Sequence, residues 1–551
     1  MWKEICAISG TTWSAAKCLI TEMERLLSTI RISRRCGRGK LKGVLLRHNA
    51  QPGTLELREG TYFIFGGDLF DKGPGDIRLS KELVALKQRY PNRVYLLIGN
   101  RDANKLRFAA ELSDAQLQQV PLDKMTAPFW LTKNRTPTEW LRRKKENKNK
   151  KKGEELFDAK EWRALDTRKT RLLWMLEDTL GRGEAVEDGE VVSSFLEGLR
   201  PGGCYFEYLK HADIAVRLGN TLFVHGSVSP QSIDFVPSLR LPFAKNAALL
   251  PNTGHYVNQE GGGSNDSRSE PADRWIDALN RWGKQAFEEF AKSEAASLDA
   301  PLFSGESVES LGSSRPGQSL LCYQCAPGSV RRNVVVESYI SRAIPREIPQ
   351  SVAEYLLDSG ISRVVAGHKP VGDCPMVMHT AVCSDGSPFP KYLETVFADT
   401  SYSDSKAEDS RGVAVSEVIV EGLSPDANRV RVHGLLRDGS TTIEYALRPL
   451  SRGGVDASPP LVPEHFVAED DRLIGKRLAD NFFVRARVSP GVARKAGVSE
   501  HAAQPKEHVP STSSSCEKCH YFLEKTDVKT RRVTTRQASK TEVLCEINQQ
   551  W

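Results

Sequence analysis

Tyr62-Phe63-Ile64-Phe65-Gly66-Gly67-Asp68-Leu69-Phe70-Asp71-Lys72-Gly73 is the stretch on which the fold turns. Its first four residues are an apolar run stopped by two glycines, the pattern of a buried strand feeding a tight turn. Just downstream, Ile77, Leu79, Leu83, Val84 and Leu86 supply the apolar side of a helix spanning 76–89, and Pro91-Asn92 ends it. Val94-Tyr95-Leu96-Leu97-Ile98 is a second buried strand, and it too stops at a glycine, Gly99. Strand, helix and strand in so short a span predict a βαβ unit. The polar residues fall just after the strand ends, where open α/β sheets build their sites.

The same punctuation occurs twice more. Thr221-Leu222-Phe223-Val224 ends at His225-Gly226, and Val364-Val365-Ala366 ends at Gly367-His368. Four strand ends therefore deliver Asp68, Asn100, His225 and His368. Two carboxylate or amide oxygens and two imidazole nitrogens form a mixed donor set suited to manganese, iron or zinc. No single one of these residues is informative. Their order, their local words and their shared place after a strand carry the reading.

The words Gly67-Asp68-Leu69-Phe70-Asp71-Lys72-Gly73, Gly99-Asn100-Arg101-Asp102, Val224-His225-Gly226 and Gly367-His368-Lys369-Pro370 resemble those of the calcineurin-like metallophosphoesterase superfamily. That group includes the protein Ser/Thr phosphatases and the diadenosine tetraphosphatases, and Lys72-Gly73-Pro74 leans toward the latter. The resemblance spans roughly residues 60 to 405. It implies a four-layer α/β/β/α sandwich, here with helical insertions, that binds one or two divalent ions (Mn, Fe, Zn or Mg). It also implies a metal-dependent phosphatase that hydrolyses a phosphomonoester or phosphoanhydride with metal-activated water. Asp68 would bridge two metals, Asn100, His225 and His368 would complete one metal site, and Asp71 would orient a partner by hydrogen bond. Asp68, Asp71, Arg101 and Asp102 are the candidate catalytic residues. Lys72, Arg101, Lys105 and Arg107 are the candidates for holding phosphate, Lys72 as a point charge where relatives carry arginine. For Lys105 and Arg107 the alternative is a helix start with solvent-facing cations. Asp399 is either a substitute ligand or a strand-end carboxylate.

Two departures from the pattern matter. Relatives carry an Asp-x-His word before the Gly-Asp motif, and none precedes Asp68; the histidine expected after Gly-His-x is Pro370. The expectation is one complete metal site and one stripped site. A single ion, a second site completed by an unrecognised ligand, and an incomplete first motif all stay open. The other departure is Arg101, standing where relatives carry the histidine that protonates the leaving oxygen. Arginine does not give up its proton. Its presence favours substrates with good leaving groups, or a pseudophosphatase that serves as a phosphate- or phosphoprotein-binding scaffold.

The 551 residues carry 77 Lys+Arg against 70 Asp+Glu, a net +7 too diluted over this length to argue for nucleic acid or membrane. Eleven cysteines without a repeating framework read as reduced thiols in a cytoplasmic or nuclear protein. No apolar run is long enough for a transmembrane helix. Residues 1–58 are weakly patterned, with a helix expected over 19–30 and a basic loop over 31–42. Residues 59–450 are expected to form the phosphoesterase domain, interrupted by the basic run 142–152 and the Gly/Ser-rich loop 258–272. Residues 451–551 are expected to be a mostly disordered tail. The run 142–152 reads as a solvated insertion, or else as a nuclear address or RNA contact. A phosphorylated molecule of unspecified identity is the expected partner. Cys322-x-x-Cys325 and Cys516-x-x-Cys519-His520 have zinc-like local spacing, but their separation argues for coincidence.

Overall fold

The computed structural model describes residues 29–33, 55–70, 76–112, 188–239, 254–258, 270–292, 318–325, 332–341, 344–345, 348–369, 375–382, 391–399, 414–423, 429–436 and 442–446, with strand segments between 468 and 538. It is a mixed α/β protein made of two compact units. One comprises residues 1–66, 217–223 and 338–551; the other comprises 67–216 and 224–337.

The first unit is mostly sheet. Thr442–Ala446, Arg429–Leu436, Ala414–Glu421, Thr29–Ser33 and Thr61–Phe65 are neighbours in that order. Thr29–Ser33 runs parallel to Ala414–Glu421, with Thr29 opposite Glu417, and antiparallel to Thr61–Phe65, with Thr29 opposite Phe65. This corrects the helix expected up to Ile30 and the loop expected from Arg31. Thr29-Ile30-Arg31-Ile32-Ser33 alternates polar and apolar at period two, and its two β-branched isoleucines favour a strand once partners stand on both sides. A second sheet orders Met376–Val382, Lys391–Phe397, Arg363–Ala366 and Thr221–Val224. Arg363–Ala366 is parallel to both neighbours and pairs Val364 with Leu222 and with Thr395. Parallel strands covered on both faces need apolar residues throughout; Val364, Val365 and Ala366 are buried. The helix Gln350–Asp358 buries Val352, Ala353 and Leu356.

Within 451–551 the described residues form strands, including Arg472–Ala479, Phe482–Ala486, Tyr521–Thr526 and Val533–Ala538. Aromatic and β-branched residues such as Phe482, Phe483, Val484 and Tyr521 suit that conformation. The remainder of the tail, the run 142–152, and Cys516, Cys519 and His520 lie outside the described residues.

The second unit is largely helical. Its helix Asp76–Arg89 has the bounds that the periodicity predicts, with Asp76 in its first turn and Lys87 and Arg89 in its last, where each complements the helix dipole. The strand Val94–Leu96 is shorter than the apolar run suggests. Beyond it the chain stays extended by bonding to Asp213, whose N–H donates to Leu96 O at 2.8 Å and whose carbonyl accepts Ile98 N–H at 2.9 Å. The helix Cys204–His211 supports this segment: Tyr208, wholly buried, donates its hydroxyl to Leu97 O at 2.7 Å. Pro271–Lys292 buries Trp275, Leu279, Trp282, Ala286 and Phe290 along one face. These aromatics are core, and Trp275 spends its indole N–H on Phe235 O. Among the described residues no helix is long and apolar enough to cross a membrane.

Candidate metal centre

Asp68 follows the strand Thr61–Phe65 through Gly66 and Gly67. Gly67 has φ 87° and Asp68 has φ 57°. The left-handed region costs a residue with a Cβ free energy, least for Asn and Asp, so the surroundings must over-determine it. Here they do. Asp102 is fully buried, and its two oxygens accept four backbone N–H groups. Oδ2 takes Gly99 at 2.7 Å and Asp68 at 2.9 Å; Oδ1 takes Leu69 at 2.8 Å and Phe70 at 3.4 Å. One carboxylate thus ties the Gly-Asp turn to the Gly-Asn turn. The close approach requires Gly99, since a Cβ there would collide with the backbone nitrogen and carboxylate of Asp68. Burial, and then the negative charge of Asp68, push the Asp102 carboxyl up to about 7, while the Gly99 N–H bond works in the other direction.

His225, directly after Val224, is 2% exposed and points Nε2 at Asp68 Oδ1, 3.2 Å away. Its other ring nitrogen faces Gly67, where a Cβ would come within 2.9 Å. Asn100 opens the one-turn helix Asn100–Ala103 and is partly exposed. Arg101 contacts Asp68 twice: its backbone N–H donates to Oδ1 at 2.9 Å, and its Nε lies 3.3 Å from Oδ2.

The donor chemistry fits a divalent ion. Bond lengths of about 2.0–2.2 Å to an imidazole nitrogen and a carboxylate oxygen put two adjacent ligand atoms roughly 3–3.5 Å apart, and the pair observed here spans 3.2 Å. A metal-ligating imidazole and carboxylate are both competent at neutral pH, and a nearly buried histidine limits competition from water.

The remaining expected site residues are distributed as follows. Asp71 and Lys72 lie outside the described residues. Lys105 and Arg107 are fully buried, which excludes the solvent-facing alternative. Lys105 Nζ donates to Asn104 Oδ1 at 3.0 Å, and both cations lie against the Phe108 ring, at 5.4 and 4.7 Å from its centroid. His368 belongs to the first unit. It follows Arg363–Ala366 and has φ 67°, the same strained region as Asp68, in a turn closed by Lys369 N–H to Gly367 O at 2.8 Å. Asp399 follows Lys391–Phe397 and is partly exposed. Cys322 and Cys325 share the helix Gln318–Cys325. Sequence reasoning missed Tyr208 as the support for the strand end before Gly99. A tyrosine on an apolar helix face gives no local signal of which carbonyl it reaches.

A search of curated proteins gave no match. The family model for calcineurin-like phosphoesterases matches residues 45–279, a span that contains Asp68, Asn100, Arg101, Asp102 and His225 and stops short of His368. The family is one of metal-dependent phosphoesterases. With the Gly-Asp, Gly-Asn and Val-His-Gly words folded around one carboxylate and one imidazole, this part of the chain is similar to the calcineurin-like phosphoesterases.

Proposed function

We propose that the chain is a metal-dependent phosphatase hydrolysing a phosphomonoester or a phosphoanhydride. The observation that carries this reading is the pairing of Asp68 Oδ1 with His225 Nε2 at 3.2 Å, on a strained turn pinned by Asp102. Asp68, Asn100 and His225 would hold a divalent ion, with manganese the first candidate; His368 joins them on its sequence motif. Such an ion, when bound, polarises phosphate and lowers the pKa of the attacking water. Asp102 acts through Asp68, fixing where its carboxylate points. Arg101 offers a permanent positive charge to phosphoryl oxygens as negative charge develops on them. It has no proton to give to a leaving oxygen, so the proposed substrates are those whose leaving group needs none, such as phosphoanhydrides and aryl phosphates.

The test is hydrolysis of an aryl phosphate with Mn²⁺, Mg²⁺, Co²⁺ or Zn²⁺, in the wild type and in Asp68→Asn. Metal-stimulated turnover that drops at least about 100-fold in the variant is expected. Activity left intact by Asp68→Asn would sink the mechanism. A preference for phosphoserine peptides over nucleoside polyphosphates would overturn the leaving-group argument. The second reading, a phosphate- or phosphoprotein-binding scaffold without turnover, is favoured by the ion pair between Arg101 and Asp68. Metal binding without turnover on any of these substrates would decide for it. The proposed compartment is the cytoplasm or nucleus, and an RNA partner rests only on the run 142–152.

A further inference from the structure

We propose that the Arg101 guanidinium takes the place of a second cation beside Asp68, so that the chain carries one divalent ion and not two. This rests on the metal-dependent reading and deepens it.

A carboxylate that bridges two ions must present lone pairs to both sides, with the ions about 3.5–4 Å apart. Asp68 presents only one side. Its Oδ1 faces His225 Nε2 at 3.2 Å, while its Oδ2 faces Arg101 Nε at 3.3 Å. The backbone N–H of the same arginine donates to Oδ1 at 2.9 Å, so Arg101 grips the carboxylate from main chain and side chain together. Asp102 holds the turn in this orientation through the Asp68 N–H. A guanidinium stays protonated at any pH an enzyme works at, and it is planar, weakly hydrated and suited to partly buried ion pairs. The Arg101 side chain is 30% exposed and that of Asp68 is 21% exposed, so water screens the pair only in part. A second dication at Oδ2 would have to displace a fixed positive charge or sit against it. The sequence adds to this: Pro370 stands where the resemblance places a further histidine ligand. Carboxylate and guanidinium together are neutral, which leaves a single divalent ion with Asp68 Oδ1 and His225 as its anchors. The guanidinium supplies charge and N–H donors to a phosphoryl group, but no open coordination position.

The experiment uses the full chain saturated with Mn²⁺ and freed of excess metal. Mn²⁺ is chosen because it prefers oxygen and imidazole donors and avoids the thiolates of the Cys-x-x-Cys pairs. Metal content and the low-temperature electron paramagnetic resonance spectrum are measured for the wild type, Asp68→Asn and Arg101→Gln. The expected wild type holds one ion per chain with an uncoupled six-line spectrum, and Asp68→Asn weakens it at least tenfold. In Arg101→Gln, the loss of the neighbouring charge tightens the single site more than threefold or admits a second ion. Two ions per wild-type chain with an exchange-coupled spectrum would overturn the inference and leave the phosphatase reading standing. Unchanged stoichiometry and affinity in Arg101→Gln would also overturn it. Binding of no ion by the wild type overturns both. If a variant fails to fold, two coupled ions in the wild type still overturn the inference.

Discussion

Replacing Asp102 by asparagine asks whether one buried carboxylate holds the metal-site turn in place. The side chains are nearly the same size, so packing is little disturbed and the change is confined to hydrogen bonding. Asp102 offers two acceptor oxygens to four N–H donors; asparagine offers one oxygen and one NH₂. The cheapest orientation keeps the oxygen on Gly99 and Asp68, at 2.7 and 2.9 Å, and turns the NH₂ toward Leu69 and Phe70, at 2.8 and 3.4 Å. The Leu69 amide then faces a donor in a dry site, a loss of about 1–3 kcal/mol; the Phe70 bond is long enough to add little. An amide has no charge to desolvate, which offsets part of this and places the expected loss near the low end. The larger effect falls on the metal. With the 69–70 side of the turn released, Asp68 no longer has its strained φ fully specified, and metal affinity should fall about 10–100-fold, as for other residues that orient ligands. Denaturant titration gives the stability change, Mn²⁺ titration gives the affinity, and amide hydrogen exchange at Leu69 and Gly99 localises the effect. Faster exchange at Leu69, with Gly99 largely protected, is the expected signature. Unchanged exchange at Leu69 together with wild-type metal affinity would refute the claim that Asp102 organises the turn.

Three further outcomes follow from the same geometry. Gly99→Ala, whose Cβ would meet the backbone and carboxylate of Asp68, should cost roughly 3 kcal/mol or more and abolish metal binding, whereas Gly66→Ala, with nothing near its Cβ, should be close to neutral; equal melting temperatures for the two would contradict the packing. Tyr208→Phe strands the Leu97 carbonyl and should cost about 1–2 kcal/mol, measured by denaturant titration, with a null effect arguing against the bond to Leu97. Burial, followed by the charge of Asp76, pushes the Cys204 thiol up to about 11. At pH 8 its thiolate population should then be about 100-fold below that of an ordinary thiol. Mass-spectrometric mapping of iodoacetamide labelling should show Cys204 protected in the native protein and labelled only after unfolding, and rapid native labelling would show the burial to be wrong.

The sequence by itself determined the elements whose pattern is local. The helix Asp76–Arg89 has its apolar spacing, its breaker and its terminal charges all within its own residues, and the strands before Asp68 and His225 are apolar runs ended by glycines. The glycine-bounded words named Asp68, Asn100 and His225 as metal-capable because small residues, strand ends and donors recur together in them. Thr29–Ser33 was not legible, since its five residues alternate too briefly to outweigh a helical pattern beside them, and a strand between two partners owes its state to them. Nor was the burial of Lys105 and Arg107, because a cation's sequence neighbours do not say whether an aromatic ring and protein oxygens wait for it. Only the tertiary structure decided what Arg101 and Asp102 do. Adjacent in the chain, they part in space: Arg101 grips the Asp68 carboxylate, while Asp102 collects the amides behind it. Hydrogen bonds and ion pairs act over about 3 Å, and the partners here are more than thirty residues apart. Local pattern therefore shows which atoms could bind a metal, and the fold alone shows that one of them is already held by a built-in cation.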